Sequence, residues 1–311
     1  MDTSSIISQI GNTPLVRLIQ ASELTGCNIY GKAEYFNPGE SVKDRAALFI
    51  VQDAIKKKLI SKGGTIVEGT AGNTGIGLAI VCKEYGLNLK IVIPKTQSIE
   101  KKNTLKELGA ELIEVEAVPY SDPNNYIKQS KKIAEELEKK EKNGVYWANQ
   151  FDNIINTESH IQTTSEEIWN QTAGKIDGFT CAVGTGGTLS GISIGLKNRN
   201  NKIQIALTDP MGSSLYSHVK YKKLENTGSS ITEGIGTGRI TKNFEKAIID
   251  DAFQVGDVEA LNIVYDLIKD QKIILGGSSG INIAGAIKLA KKMGPGKTIV
   301  TILCDHGKRY A

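Results

Sequence analysis

The chain has 311 residues, 40% of them hydrophobic and 23% charged, with a formal net charge of +4. Because domains commonly hold about 100 to 200 residues, this length allows two of them, and the near-average composition excludes a disordered, collagen-like or membrane-embedded chain. The small basic excess is spread along the sequence, so a nucleic acid is not expected as a partner. The composition gives no reason to expect a membrane partner either.

The cysteines and histidines show no spacing that is typical of a metal site, so no metal is expected. Cys82, Cys181 and Cys304 lie in apolar stretches, where a buried reduced thiol is the usual outcome.

The N-terminal stretch MDTSSIISQIGNTP lacks the charged start and apolar core of a signal peptide. No apolar run approaches the roughly 20 residues that cross a bilayer. The sequence therefore predicts a cytoplasmic protein.

Short β-branched runs alternate with longer segments of helical periodicity, which is typical of a parallel sheet covered by helices. An α/β fold is therefore predicted. The stretch from Asp209 to Lys242 has no clear periodicity, and a loop of that length is often functional. In chain order, the runs predict strands at residues 65–68, 89–93, 111–115, 179–183, 203–207 and 298–303. The periodic segments predict helices at residues 75–85, 98–108, 124–142, 187–197, 257–270 and 280–293.

The first candidate site lies in the segment 37–45, where turn residues give way to a helix that is predicted to begin near Ser41. A lysine in the first helical turn faces the positive end of the helix dipole, which disfavours the ammonium form and favours a nucleophilic amine. Lys43 therefore suits a Schiff-base lysine. Spacing alone leaves open an exposed lysine that pairs with Asp44.

Three glycine-rich segments follow predicted strands and lead into predicted helices, at Gly69–Gly75, Gly184–Thr188 and Gly276–Gly280. A helix N-terminus offers N–H groups and a partial positive charge, and glycine lets an anion come close. Any one of these loops could instead be a tight turn or a helix cap. None matches the dinucleotide or P-loop patterns, which disfavours NAD and ATP. Together the loops indicate a small ligand that carries phosphate and carboxylate groups.

In this order, the motifs NPxxSVKDR, TxGNTG, GTGGT and GGSSG resemble the cysteine synthase and cystathionine β-synthase family of pyridoxal 5′-phosphate (PLP) enzymes. The similarity runs from Ile10 to Tyr310. The resemblance implies a two-lobed, tryptophan synthase β-like fold, with a mostly parallel sheet flanked by helices in each lobe. Residues 1–38 and 151–311 would form a larger cofactor-binding lobe, and residues 39–150 a smaller mobile lobe. It also implies a homodimer.

The resemblance also implies roles for individual residues. Lys43 would be the catalytic residue, which binds PLP as a Schiff base and later returns protons. Asn73 would hydrogen-bond the ring oxygen of PLP, and Ser278 would be the partner of its pyridine nitrogen. The PLP phosphate would lie on Gly184, Thr185, Gly186, Gly187 and Thr188. The amino-acid substrate would be bound by Thr70, Ala71, Gly72, Asn73, Thr74 and Gln150, with Glu233 and Gly234.

The implied reaction is a β-replacement that forms L-cysteine from O-acetyl-L-serine and sulfide through an aminoacrylate intermediate. A hydroxyl at Ser278 cannot hold the pyridine nitrogen protonated as a carboxylate would, which favours β-elimination over transamination. The resemblance further offers the C-terminal peptide of serine acetyltransferase as a candidate partner.

Glu233 departs from the family pattern, because members that use O-acetylserine often have glutamine there and cystathionine β-synthases have glutamate. A carboxylate would repel departing acetate but accept a hydrogen bond from a hydroxyl or thiol. The alternative is a cystathionine β-synthase-like or cysteine desulfhydrase-like enzyme that uses serine or cysteine first. Glu233 could also simply cap a turn. A catalytically silent binding protein is the rival from another class, and Lys43 argues against it.

Overall fold

Strands and helices alternate along the chain in the computed structural model, which describes residues 5–70 and 72–310, without the side chains of Arg309 and Tyr310. The strands are β1 (Leu15–Arg17), β2 (Asn28–Ala33), β3 (Thr65–Gly69), β4 (Asn88–Pro94), β5 (Glu111–Val115), β6 (Val145–Trp147), β7 (Gly178–Cys181), β8 (Gln204–Pro210), β9 (Asp251–Val255) and β10 (Thr298–Leu303). The helices are α1 (Ile19–Thr25), α2 (Lys43–Lys56), α3 (Asn73–Tyr85), α4 (Ile99–Glu107), α5 (Tyr126–Glu138), α6 (Ile155–Ser159), α7 (Ser165–Gln171), α8 (Gly187–Arg199), α9 (Leu215–Tyr221), α10 (Asp257–Gln271) and α11 (Gly277–Met293).

The chain folds into two compact units. The first takes in the described residues of Met1–Ile10, Asn37–Gly39 and Lys43–Asn156. The second takes in the described residues of Gly11–Phe36, Glu40–Val42 and Thr157–Ala311.

The sheet of the first unit has the strand order β5-β4-β3-β6, and each neighbouring pair is parallel. Ile66 of β3 packs in a core with Ile50 of α2 and Cys82 of α3. Val67 packs in another core with Ala134 of α5. Because helices cover both faces of the sheet, β3 is buried along its whole length.

The sheet of the second unit has the strand order β1-β2-β10-β7-β8-β9. β1 and β2 pair antiparallel, whereas the other neighbours pair parallel. Val300 of β10 packs in a core with Leu189 of α8, and Ile299 packs in a separate core with Ile283 of α11. The helices α8 and α11 therefore cover opposite faces of this sheet.

These elements confirm the predicted α/β class with two mostly parallel sheets. The predicted strands correspond to β3, β4, β5, β7, β8 and β10, and the predicted helices to α3, α4, α5, α8, α10 and α11. The helix expected near Ser41 begins at Lys43. The stretch from Asp209 to Lys242 is not all loop, since it contains α9. The division into a cofactor-binding lobe and a mobile lobe stays a prediction.

Two absences hold for residues 5–70 and 72–310. No helix there is both long and apolar enough to span a membrane. Within the same residues, histidine, cysteine, aspartate and glutamate side chains form no group of three or more that could hold a metal ion.

Candidate active site

Lys43 is the first residue of α2, and its side chain is half-buried. The preceding turn is fixed by Asp44, whose carboxylate accepts a hydrogen bond from the N–H of Gly39. A Cβ on Gly39 would lie 2.4 Å from that carboxylate, and a Cβ on Gly77 of α3 would lie 3.1 Å from it. The lysine therefore extends from a tightly packed start of a helix.

The loop from Thr70 to Thr74 joins β3 to α3 at the carboxyl end of the strand. Gly72 caps the helix, and its N–H donates to Oγ1 of Thr70 at 3.2 Å. Asn73 is the first residue of α3, which is 13 residues long. Ala71 lies outside the described residues. The loop thus ends at a helix N-terminus, which is a suitable place for an anion.

Gln150 follows β6 and is buried beside that loop. The hydroxyl of Thr74 donates to the side-chain oxygen of Gln150 at 2.6 Å. The carbonyl of Gln150 accepts a hydrogen bond from Nδ2 of Asn156 at 2.8 Å. Within the first unit, the structure therefore brings Thr74 and Gln150 together.

Glu68 is a residue of this region that sequence reasoning missed. It lies in β3 and is 1% exposed, and Oε2 of its carboxyl group has no hydrogen-bond partner among the described residues. Desolvation by burial raises the pKa of the Glu68 carboxyl to about 8. The signal in the sequence was an acidic residue in an apolar, β-branched strand.

The loop from Gly184 to Thr188 follows β7 and leads into α8. Gly186 has a φ of +91°, and a Cβ there would lie 2.6 Å from the backbone nitrogen of Phe244. A Cβ on Gly184 would lie 2.1 Å from the carbonyl oxygen of Gly234. The glycines are therefore required by the surrounding backbone, and they stand at the N-terminus of a 13-residue helix, where the N–H of Gly187 donates to Oγ1 of Thr185 at 3.4 Å. A helix N-terminus favours an anion.

His160 lies beside this loop, although the sequence suggested nothing for it beyond the absence of metal spacing. Its Nε2 is 3.2 Å from Oγ1 of Thr188, and its Nδ1 is 2.9 Å from Oγ1 of Thr164. Gly191 of α8 permits this approach, since a Cβ there would lie 2.5 Å from the Cβ of His160. The imidazole therefore fixes the Thr188 hydroxyl at the start of α8.

Ser278 lies in the first turn of α11 and is 6% exposed. The side chain of Asn282 accepts a hydrogen bond from the N–H of Ala182 at 2.6 Å. Oγ of Ser279 accepts one from the N–H of Cys304 at 2.9 Å. Because Ala182 and Cys304 directly follow β7 and β10, these bonds hold the start of α11 at the carboxyl ends of two neighbouring strands.

Glu233 is exposed in the segment between α9 and β9. Gly234 has a φ of +76°. Thr232 and Ile235, on either side of these residues, line a cavity of 280 Å³. Within the second unit, the structure brings Gly234 close to Gly184, whereas the side chain of Glu233 lies at the surface.

The residues present fit PLP. In the second unit, the 184–188 loop has room for a phosphate because side chains are excluded at Gly184 and Gly186. Ser278 supplies a buried neutral hydroxyl. In the first unit, Lys43 supplies a half-buried amine, and the start of α3 supplies N–H groups for a second anion.

Comparison with known proteins supports the same chemistry. A family model described as pyridoxal-phosphate dependent enzyme matches residues 6–305. Cysteine synthase 1 of Neurospora crassa is 50% identical over 307 residues, which cover 97% of this chain and 80% of that protein.

Two solved structures are similar over nearly their full length. A hydrogen sulfide-producing enzyme from Fusobacterium nucleatum has a TM-score of 0.88 and 34% identity, and the match covers 100% of this chain and 99% of that chain. An O-acetylserine dependent cystathionine beta-synthase from Helicobacter pylori has a TM-score of 0.88 and 32% identity, covering 100% and 97%. The family resemblance inferred from the motifs and the cofactor it implied are confirmed: the chain belongs to the pyridoxal-phosphate dependent enzymes.

Proposed function

We propose that the chain is a cysteine synthase that forms L-cysteine from O-acetyl-L-serine and sulfide by β-replacement. The observation that carries the proposal is the similarity to Cysteine synthase 1 of Neurospora crassa, because it extends over almost the whole chain and so includes all the candidate site segments. The two units support the same chemistry. The first supplies an amine and the start of α3 as one anion site, and the second supplies the 184–188 loop as another anion site and a neutral hydroxyl.

In this proposal Nζ of Lys43 would hold PLP until the amino group of the substrate takes its place, and the amine that is set free would then accept the proton that leaves the substrate Cα. PLP, when bound, supplies the electron sink that stabilises negative charge at Cα. The packing of Asp44 against Gly39 and Gly77 supports the role of Lys43, because a group that must return to one position in each turnover needs a rigid base.

We assign the α-carboxylate of the substrate to the loop of Thr70, Ala71, Gly72, Asn73 and Thr74, with Gln150 as a further donor. The start of α3 supports this assignment, since its N–H groups and the positive end of its dipole favour an anion. Asn73 is in addition assigned to the ring oxygen of PLP.

We assign the phosphate to Gly184, Thr185, Gly186, Gly187 and Thr188. The exclusion of side chains at two of these glycines and the contact between His160 and Thr188 support the assignment. Ser278 is assigned to the pyridine nitrogen. A hydroxyl there leaves that nitrogen without a permanent proton, which favours elimination of the β-substituent.

A second candidate function is favoured by Glu233. In the proposed substrate site, with Gly234 beside it, this carboxylate would oppose departing acetate and would accept a hydrogen bond from serine or cysteine. The chain would then act as a cystathionine β-synthase-like or cysteine desulfhydrase-like enzyme. The similarity to a hydrogen sulfide-producing enzyme is compatible with this candidate.

A substrate panel tests both candidates. The purified enzyme is given O-acetylserine, O-phosphoserine, serine or cysteine, with and without sulfide or homocysteine, and each product is identified. We expect cysteine from O-acetylserine and sulfide to form fastest. Dominant turnover of serine or cysteine would overturn the first proposal in favour of the second.

We also propose a homodimer in the cytoplasm, in which residues 39–150 form a mobile lobe and residues 1–38 and 151–311 a cofactor-binding lobe. Exposed apolar side chains at Val258, Leu261 and Tyr265, on one face of α10, support a subunit interface.

The C-terminal peptide of serine acetyltransferase is a candidate partner. Sedimentation at micromolar concentration, with and without that peptide, tests both assemblies, and a monomer alone would contradict the dimer.

A further inference from the structure

Thr241 is a threonine with 0% exposure in the long segment between α9 and β9. The proposed site uses Glu233 and Gly234 of this segment but not Thr241. Burial of a hydroxyl group is costly unless hydrogen bonds compensate for the lost water. The contacts of Thr241 therefore indicate what its hydroxyl does.

The hydroxyl of Thr241 joins two backbone groups of the second unit. Its Oγ1 donates to the carbonyl oxygen of Thr185 at 2.7 Å and accepts from the N–H of Phe244 at 3.0 Å. Because a carbonyl oxygen only accepts and a backbone N–H only donates, the direction of both hydrogen bonds is determined. The proton of this hydroxyl is therefore committed to the 184–188 loop.

Thr241 is held in place by the chain that follows it. Asn243 is 0% exposed, and its Oδ1 accepts a hydrogen bond from Oγ1 of Thr157 at 2.7 Å. The carbonyl of Asn243 accepts another from Oγ of Ser190 at 2.6 Å. Ser190 lies in α8, the helix into which the 184–188 loop leads. Thr241 therefore contacts the loop from a position that is fixed relative to α8.

The contact with Thr185 determines which way one peptide group of the loop faces. The peptide bond between Thr185 and Gly186 is trans, so its N–H points away from its carbonyl oxygen. A reversal of this peptide group would turn the φ of Gly186 from +91° to a negative value. Glycine adopts both signs of φ about equally well. Gly186 itself therefore does not select the orientation of the peptide group, whereas the hydroxyl of Thr241 does.

The two orientations of this peptide group present opposite charges to an anion. With the carbonyl of Thr185 on Thr241, the N–H of Gly186 faces the other side of the loop. A reversed peptide group would direct the partial negative charge of a carbonyl oxygen to that side. At an anion site, this reversal replaces an attractive dipole by a repulsive one.

We propose that Thr241 is a positioning residue that holds the Thr185–Gly186 peptide group with its N–H on the side of the PLP phosphate. The link to the phosphate rests on the proposed function of the 184–188 loop. The orientation of the peptide group depends only on contacts within the second unit.

Cofactor binding tests the link to the phosphate. The full chain is loaded with PLP or with pyridoxal, which lacks the phosphate, and each dissociation constant is measured by dialysis to equilibrium. Thr241→Val keeps the shape of the side chain but loses the hydroxyl, and it should weaken PLP binding about tenfold. Binding of pyridoxal should change by less than about twofold, because pyridoxal has no phosphate to lose the contact.

Further variants separate the hydroxyl from a general effect on stability. Thr241→Ser keeps the hydroxyl and should bind PLP within about threefold of the unmodified protein. Thr241→Cys has a weaker donor and should fall between the serine and valine variants, so it decides the question if Thr241→Val does not fold.

Thr301→Val is the matched control. Thr301 is also 0% exposed, and its hydroxyl donates to a backbone carbonyl at the same distance, that of Thr180 at 2.7 Å, but inside the sheet. This change should lower the free energy of unfolding in urea while PLP binding stays within about twofold.

A crystal structure of the Thr241→Val holoenzyme tests the orientation of the peptide group. We expect the Thr185–Gly186 peptide group to be reversed or to occupy both orientations, with a negative φ at Gly186 in the reversed one. In the structures of Thr241→Ser and Thr301→Val this φ should remain positive.

The remaining outcomes each contradict one part of the proposal. Unchanged PLP binding in Thr241→Val, or an equal loss in Thr301→Val, contradicts the positioning role. An equal loss for PLP and pyridoxal contradicts the link to the phosphate. A φ of Gly186 that stays positive in Thr241→Val contradicts the selection of the orientation by the hydroxyl. If Gly186→Ala also leaves PLP retention unchanged, the phosphate assignment itself fails, and the crystal structure still decides whether Thr241 holds the peptide group.

Discussion

The hydroxyl of Thr74 donates to the side-chain oxygen of Gln150 across 2.6 Å, although the two residues are 76 positions apart in the sequence. Both are buried. This bond joins the first turn of α3 to the chain that follows β6, so the loop assigned to the substrate carboxylate and its opposite wall act as one structure.

Loss of this bond should weaken binding of the amino-acid substrate. Thr74→Val has a similar shape but lacks the hydroxyl, and we expect KM for O-acetylserine to rise about tenfold with a smaller change in kcat. Thr74→Ser keeps the donor and should stay within about threefold of the unmodified enzyme. Equal KM values for the two variants would show that the hydrogen bond plays no part in binding.

Lys43→Ala should abolish both the visible absorbance of the lysine-bound cofactor and turnover, because no other side chain at the start of α2 supplies the amine. Circular dichroism should show that the fold is retained. Lys56→Ala changes an exposed lysine at the other end of the same helix and should affect neither property. A cofactor band of normal intensity in Lys43→Ala would mean that another lysine binds PLP.

Gly186→Ala should lower the free energy of unfolding by about 2 to 4 kcal/mol and weaken PLP retention. The cause is the φ of +91° together with a Cβ only 2.6 Å from the backbone of Phe244. Gly256→Ala is the matched control, since Gly256 also precedes a helix but has a φ of −91° and open space at Cβ. Urea unfolding and the cofactor content after dialysis measure the two effects, and similar results for both variants would contradict this explanation.

Glu233→Gln should raise kcat/KM for O-acetylserine relative to serine or cysteine, because it removes a negative charge from the proposed path of departing acetate. One altered hydrogen bond of about 1 to 3 kcal/mol implies a change of roughly 5- to 150-fold in that ratio. Competition assays with both donors measure it directly. If the ratio does not move, Glu233 has a structural role in its turn.

Stability should depend on pH through Glu68. Burial raises the pKa of this carboxyl from its ordinary value of 4.5 to about 8, so the folded state holds a proton that the unfolded state loses between these values. The free energy of unfolding therefore falls as pH rises through this window. Compared with Glu68→Gln, which cannot titrate, the unmodified protein should lose on the order of 2 to 4 kcal/mol between pH 5 and pH 8. The free energy of unfolding of each protein is measured by urea unfolding at several pH values. If it changes with pH by the same amount in both proteins, the raised pKa is contradicted.

The sequence predicted most of the longer elements but missed β2 and β9, which have six and five residues. The shortest elements could not be predicted, for a physical reason. β3 and α11 have enough residues to display a period, whereas β1 and β6 have three residues each and α9 has seven. A strand of three residues is defined by the neighbours to which it bonds, and these are distant in the sequence. β6, for example, exists because it pairs with β3.

The same limit applies to the candidate site. Lys43 and the glycine loops could be found because turn chemistry and helix starts are local signals. The partners of Gln150 and His160 could not, since Thr74 and Thr188 reach them only in the folded chain. The glycines at positions 184 and 186 appeared in the sequence as aids to anion binding. The structure adds that the backbones of Gly234 and Phe244 leave no room for any side chain there.

Cys82 is buried in the core of the first unit, and this burial lowers the reactivity of its thiol in an enzyme that is proposed to handle sulfide. Desolvation raises the pKa of that thiol to about 12, so at neutral pH only roughly one molecule in 100,000 carries a thiolate at this position. The thiolate is the form of cysteine that attacks disulfides and reacts with oxidants. An enzyme that consumes sulfide would thus keep this cysteine chemically inert in every turnover, without a dedicated repair step.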